Sequence, residues 1–478
     1  MNAKVYDSYF VRYMNKMIVN SLFIPFIILI MIIVIVVTGY FIFDNYITYS
    51  QDQHFPFLVG DHKKSLKIEL VTTGLSFPTS MAVIDKHNIL VLEKNTGAVR
   101  LISNGVLRQK PILTLDVDGK GERGLLGLAI LNNTSSAISE EDKKNELRPS
   151  SHVHSTYPKA YVFLYFTKLR ENGEPKNVLY RYDWNRNSLL NPKLISEFPS
   201  LAGLYHNGGK MTIGPRDRQL YVAIGDLNTP NTVTQNYKYG KTSTYSSVIL
   251  RIDPMSGLPS AGNPFLHNRL ADNNAEIAGL NYSYAYGIRN SFGLAFDPVT
   301  GYLWDTENGE NNYDEINLVK PGFNSGWDKI MGPLSRNNDI STESKLLKLD
   351  GSRYSDPKFS WRIPIGVTAI EFLNTSILGK EYENNIFVGD INNGNIYYFQ
   401  VNNEDRTRLS FYSDNNQYIG LEDLVADNKK EASEPLFATN FEGRITDIKT
   451  GPDGYLYILT YFDGMVYKIV ANDNNQLW

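Results

Sequence analysis

Residues 445–469 read ITDIKTGPDGYLYILTYFDGMVYKI. An apolar run, Ile445-Thr446-Asp447-Ile448, is followed by a Gly-Pro-Asp-Gly turn. A second run, Gly454-Tyr455-Leu456-Tyr457-Ile458, and a third, Gly464-Met465-Val466-Tyr467-Lys468-Ile469, come after it. Short apolar runs with period-two alternation between Gly, Asn, Asp and Pro clusters are the pattern of strands joined by turns. Upstream the same unit recurs, opening at Ser80–Val83, Gly124–Ala129, Gly209–Thr212, Phe292–Phe296 and Val367–Ile370. With the copy quoted first this makes six units of three or four strands each. The reading is all-β, a six-bladed β-propeller, because radial closure protects the strand edges of so long a β chain. A pair of β-sandwiches is the alternative arrangement of the same strands. Long loops at 132–158, 227–246, 254–285 and 328–362 are expected to rise on one face, around the mouth of the central channel.

Composition narrows the function. The 478 residues carry a formal charge of −4, which excludes a bulk basic surface for nucleic acid. There is no cysteine, so disulfides, thiol nucleophiles and thiolate metal sites are excluded. A propeller without a disulfide staple must close its ring by strand pairing. The C-terminal strand is expected to pair with an early strand near Leu66 to Thr73.

The N-terminus is of another kind. No charged residue occurs from Met17 to Phe43. The run exceeds the roughly 20 residues that cross a bilayer, and Tyr40-Phe41-Ile42-Phe43-Asp44 is a poor signal-peptide cleavage site. Lys4, Arg12 and Lys16 precede the run and Asp44 and Asp52 follow it. The positive-inside bias therefore predicts a single-pass cell-membrane anchor, with the N-terminus cytoplasmic and the propeller outside. The expected organisation is 1–16 cytoplasmic, 17–43 transmembrane helix, 44–65 tether, 66–470 propeller and 471–478 tail.

Several clusters precede inner strands of the units. His206-Asn207-Gly208-Gly209 puts an imidazole at the channel mouth, where it is either a turn residue or a general base. Tyr286-Gly287-Ile288-Arg289-Asn290 puts a guanidinium and an amide at the equivalent place, suited to an anion or to loop carbonyls. Glu307-Asn308-Gly309-Glu310-Asn311-Asn312-Tyr313-Asp314-Glu315 holds four carboxylates in nine residues and is either an acidic turn or a site for a hard cation such as Ca²⁺. His152-Val153-His154 lies in a Ser-rich, charged insert and is not read as a metal pair.

Taken together, residues 70–470 resemble the soluble quinoprotein glucose dehydrogenases and aldose sugar dehydrogenases, the glucose/sorbosone dehydrogenases. The resemblance rests on Gly121-Glu122-Arg123-Gly124-Leu125-Leu126-Gly127, His206-Asn207-Gly208-Gly209, Gly225-Asp226 and Gly287-Ile288-Arg289-Asn290. It continues through Asp314-Glu315-Ile316-Asn317, Gly322-Phe323-Asn324-Ser325-Gly326-Trp327 and Gly451-Pro452-Asp453-Gly454, all in the family order. It implies a six-bladed propeller holding pyrroloquinoline quinone (PQQ) and Ca²⁺, a sugar substrate oxidised at its anomeric carbon to a lactone, and an external electron acceptor. It implies His206 as general base and Arg289 at the quinone oxygen. Asn290 and Arg444 would be PQQ contacts, with Glu122, Asn392 and Thr446 at further cofactor positions. Gly309 and Glu310 would be main-chain calcium ligands, and the acidic loop adds Asp314 to the metal set. Asn392 and Thr446 stand where glucose dehydrogenase has cations, and Glu122, Glu310 and Tyr205 where it has Gln, Pro and Asp. Charge-assisted bonds are worth about 1.5–3 kcal/mol each, so two fewer cations lower the expected PQQ affinity. A carbohydrate-binding or receptor propeller without chemistry, and a Ca-dependent lactonase, are the alternatives on this scaffold.

Overall fold

Each copy of the repeat opens with one strand: β1 (Pro78–Asp85), β2 (Leu125–Asn132), β3 (Met211–Ile213), β4 (Ser291–Phe296), β5 (Val367–Phe372) and β6 (Ile445–Thr450). In the computed structural model these strands lie side by side in that order, and β6 packs back on β1, so the ring is closed. The residues described are 55–133, 160–241, 245–266, 279–337, 340–410 and 421–472. From Pro56 on they form one compact unit. They are an all-β propeller, and their strands make six sheets of four to six strands.

In each sheet the opening strand pairs antiparallel with the next strand in sequence, which pairs antiparallel with the third. The second strands depart from the alternation read in the sequence. Leu220–Ile224, Leu303–Glu307, Ile386–Asp390 and Leu456–Thr460 are buried along their whole length. Neighbouring sheets cover both faces of such a strand, so neither face needs polar residues. Where polar residues do occur there, as at Asp305 and Glu307, they are fully buried.

The ring closes as its lack of cysteine requires. Leu66–Thr72 pairs antiparallel with Val466–Ala471, Leu66 opposite Ala471 and Ile68 opposite Ile469. The N-terminal segment thus supplies the outer strand of the last sheet. The tether expected to run to residue 65 ends sooner, because the chain is already folded at Phe57. Phe57–Leu58 pairs with Leu436–Thr439, and the Val59 amide donates to the Phe437 carbonyl at 2.9 Å. A short helix, His62–Ser65, follows, and His62 Nδ1 lies 2.7 Å from the Tyr382 hydroxyl. An open edge at Leu436–Thr439 would expose unpaired backbone groups, and this segment covers it. The tail also starts later than residue 471: Ala471 is in the last strand, and the Asn472 amide donates to the Ser65 carbonyl at 2.7 Å.

No helix among the described residues is long and apolar enough to cross a membrane. The expected anchor at 17–43 and the His152-Val153-His154 insert lie outside the described residues.

Hydrogen bonds between sheets hold the inner strands together. The Thr79 hydroxyl of β1 donates to the Leu125 carbonyl of β2 at 2.8 Å. Thr368 of β5 donates to Ile445 of β6 at 2.7 Å, and Thr446 of β6 to the Pro78 carbonyl of β1 at 3.0 Å. Lys210, just before β3, reaches the Thr79 and Thr446 carbonyls at 3.2 and 3.1 Å. It also meets Asp447 Oδ1 at 3.3 Å, while Asp447 Oδ2 accepts from the Met81 amide at 2.9 Å. Both charged residues are buried. Asp447→Ala should therefore cost about 3–5 kcal/mol in urea denaturation, because it strands a buried ammonium. A loss below about 1 kcal/mol would mean that the pair does not clamp the ring.

Candidate active site

Five of the six opening strands break register with their partners near their first residues: between Pro78 and Ser80, Leu125 and Gly127, Ser291 and Gly293, Val367 and Ala369, and Ile445 and Asp447. The residues skipped are Thr79, Leu126, Phe292, Thr368 and Thr446. All five line one cavity of about 460 Å³. A bulge leaves one residue unpaired and re-aims its side chain. Repeated around the ring, it turns one end of the propeller into a pocket wall. The volume lies in the range of small-molecule and cofactor sites.

β3 has no such break. In its place the loop from His206 to Gly209 enters the site. His206 sits at φ 59°, and Gly208 and Gly209 also have positive φ, which their lack of a Cβ permits. The His206 amide donates to Glu122 Oε2 at 2.6 Å. Its ring Nδ1 lies 2.7 Å from Asp226 Oδ1. A carboxylate only accepts, so Nδ1 carries a proton, and in the neutral ring Nε2 is the acceptor. Asp226 is itself held: Oδ1 accepts from the Asn228 amide at 2.9 Å, and Oδ2 from the Trp327 indole at 3.2 Å. Gly225 allows this closeness, since a Cβ there would lie 2.4 Å from the His206 carbonyl oxygen.

Arg289 and Asn290 reach the same cavity from the loop before β4. The Arg289 amide donates to Glu307 Oε1 at 2.6 Å, and its guanidinium to the Asn308 carbonyl at 3.1 Å. The guanidinium also lies 5.4 Å from the Trp327 ring centre. Arg289 Nε and Asn290 Oδ1 are buried and have no hydrogen-bond partner. Orphaned polar atoms in a cavity wall are what a bound molecule would satisfy.

The acidic loop divides. Gly309 and Glu310 line the cavity, and Glu310 is exposed. Asp314 also lines it, but its carboxylate is spent. Oδ1 accepts from the Gly309 amide at 2.9 Å, and Oδ2 from the Ile365 and Gly366 amides at 2.8 and 2.6 Å. Asp314, expected as a metal ligand, therefore shapes the loop that carries Gly309. Among the described residues, no group of three or more His, Cys, Asp or Glu could hold a metal ion by itself. Any cation here would need main-chain oxygens, as Gly309 and Glu310 could offer.

Glu122, Asn392 and Thr446 line the cavity. The Thr446 hydroxyl, however, is committed to the ring. Arg444 does not line the cavity. It sits one residue before β6 at φ 64°, and its amide donates to the Phe441 carbonyl. The bulge that follows turns Thr446, not Arg444, into the pocket.

Three participants went unread in the sequence. Asp226 and Trp327 were quoted in motifs without a role. They lie 20 and 121 positions from His206, and no local spacing links them. Lys94 follows the second strand of the first sheet, lines the cavity and is buried. Burial makes its ammonium more acidic than usual, and the nearby Glu122 and Asp118 oppose this.

Behind Arg289 lie three fully buried carboxyls, Asp305, Glu307 and Glu315. Glu307 Oε2 accepts from the Ser325 hydroxyl at 2.6 Å, and Glu315 Oε1 from the Gly332 amide at 2.6 Å. Burial raises Asp305 and Glu315 well above the usual carboxylate range, and the Glu307 charge adds to this. Burial pushes Glu307 up to about 7, against its bonds from Ser325 and the Arg289 amide.

The model of the glucose/sorbosone dehydrogenase family matches residues 151–468. The chain is 26% identical over 268 residues to the aldose sugar dehydrogenase YliI of Escherichia coli, covering 56% of this chain and 60% of that one. It is 28% identical over 286 residues to the quinoprotein glucose dehydrogenase B of Acinetobacter calcoaceticus, covering 55% of this chain and 52% of that one. These alignments span less than two thirds of either relative. The PQQ-bound aldose sugar dehydrogenase of Streptomyces coelicolor superposes with a TM-score of 0.57 at 21% identity, over 85% of this chain and 98% of that one. At that identity the likeness is one of fold.

The buried carboxyls set a pH dependence. An acid raised in the folded state keeps its proton where the unfolded chain has lost it. Its stabilising contribution is full below the usual value of 4.5 and is lost as pH rises through about 7. Urea midpoints should accordingly fall between about pH 5 and about pH 8, and Glu307→Gln should flatten that slope. An unchanged slope in the variant would show that Glu307 does not titrate there.

Proposed function

We propose that this chain, which belongs to the glucose/sorbosone dehydrogenase family, oxidises an aldose at its anomeric carbon to the lactone, with PQQ and Ca²⁺ in the cavity. The observation that carries this reading is one pair in one place. His206 is held through Nδ1 by Asp226 at 2.7 Å, in the wall that also contains Arg289.

The residues present fit the cofactor. Arg289 Nε and Asn290 Oδ1 are orphaned in the cavity wall. Arg289 and Asn290 would hold the quinone end, and Gly309 and Glu310 the calcium ion. When bound, PQQ supplies an acceptor for the hydride that leaves the anomeric carbon.

The chain's own groups handle the proton. His206 Nε2 is the free acceptor and takes the proton of the anomeric hydroxyl. Asp226 then faces an imidazolium, whose charge it offsets through the Nδ1 hydrogen bond. Trp327 and the Asn228 amide keep Asp226 in place. The Arg289 guanidinium puts a fixed positive charge where negative charge accumulates. Because Asp314 holds the Gly309 amide and Glu307 the Arg289 amide, these positions are set before any ligand arrives.

The uncharged run 17–43, with cations before it and Asp44 and Asp52 after it, supports a single-pass anchor. On that reading the propeller faces outward and passes electrons to an external acceptor.

Full-length protein in detergent with Ca²⁺ and PQQ should reduce an artificial dye when aldoses are added. No reduction across a broad sugar panel would overturn the reading. His206→Ala should abolish turnover and leave PQQ binding intact. Asp226→Asn should lower kcat about 10²-fold or more with little change in KM, since an amide no longer dictates the ring tautomer.

A further inference from the structure

The walls of the cavity are short of positive charge. Glu122, Glu310 and Asp314 line it, and only Lys94 and Arg289 among its described lining residues are cationic. Arg444 is not part of its lining, and neutral Asn392 and Thr446 occupy two further positions of the wall. A polyanionic molecule entering such a cavity needs buried cations, because an unpaired buried charge is costly.

Lys94 meets this need by position. It follows the strand Asn88–Glu93 in the sheet of β1, whereas Arg289 precedes β4. Lys94 thus comes from the sheet of β1 and Arg289 from the entry to β4, three places on in the ring order, so the two cations reach the cavity from different sheets. The Lys94 ammonium donates to Asn95 Oδ1 at 2.9 Å and to the Gly119 carbonyl at 3.0 Å. An ammonium has three donors, so one remains. The backbone around it is also fixed: the Lys94 amide donates to Phe77, and its carbonyl accepts from Leu125 at the start of β2.

We propose that Lys94 is a cofactor-binding residue of this cavity, pairing its unspent N–H and its charge with a carboxylate of PQQ. This rests on the cavity being the PQQ site. In this chain the lysine does part of the work for which Asn392 and Thr446 carry no charge. Its two anchoring bonds hold the ammonium in place before the ligand arrives, which lowers the ordering cost of binding.

The test is an absorbance titration of the full-length, cofactor-free protein with PQQ in Ca²⁺, for wild type, Lys94→Met and Lys94→Arg. Lys94→Met keeps the apolar stem and loses the charge. It should raise the PQQ dissociation constant at least about tenfold, and Lys94→Arg should restore most of the affinity. The salt dependence of binding should flatten in Lys94→Met, a change that mere loosening of the loop would not produce. Cooperative melting of each variant checks the fold, and Lys94→Gln replaces Lys94→Met if the latter does not fold. Equal affinity and equal salt slope in the charge-free variant would overturn the assignment while leaving the PQQ reading intact. Wild-type protein that takes up no PQQ would overturn both.

Discussion

The inner ring is held by hydrogen bonds that run between sheets, and both the fold and the cavity depend on them. Within a sheet the ladder satisfies the backbone; between sheets only side chains can. Thr79, Thr368 and Thr446 each send a hydroxyl to a carbonyl of the next opening strand, and Thr446 joins the last strand to the first. Each of these threonines is the unpaired residue of a bulge. The bulge frees a side chain from its sheet, and the hydroxyl spends that freedom on the neighbour. The Lys210–Asp447 pair adds a buried charge clamp between β3, β6 and β1. Without cysteine, these contacts and the pairing of Leu66–Thr72 with Val466–Ala471 close the ring.

The same bulges aim five residues into the cavity, so architecture and site are one feature seen from two sides. Around that frame the functional groups are set by carboxylates. Glu122 holds the His206 backbone, Glu307 the Arg289 backbone, and Asp314 the loop at Gly309. Each carboxylate takes up backbone amides that would otherwise be buried without partners. Asp226 differs, since it holds a ring nitrogen, and that contact gives His206 an acceptor atom facing away from the carboxylate.

Much of this was legible beforehand. The six openings of the repeat were found within a few residues of the observed strands, because an apolar run between turn residues is a local signal. Closure between the N- and C-terminal strands followed from the absence of cysteine. His206, Arg289, Glu122, Asn392, Thr446, Gly309 and Glu310 do meet in one cavity. Arg444 is not part of the lining, and Asp314 lines the cavity with oxygens that backbone amides already claim. A residue's neighbourhood in sequence does not say which way a bulge turns it or which amides claim its oxygens. The tether is shorter than its composition suggests because Phe57 and Leu58 have no strand signal apart from the sheet edge they cover.

The sequence by itself determined the strands, their grouping into repeats and the residue types available to the chemistry, since these depend on periodicity and turn chemistry within a few positions. Only the tertiary structure decided which of those residues share the cavity, that Asp226 sets the His206 tautomer, and that Lys94 lines the same cavity as Arg289. Those facts join residues from 20 to 382 positions apart, and no local rule relates such distances until the ring has closed.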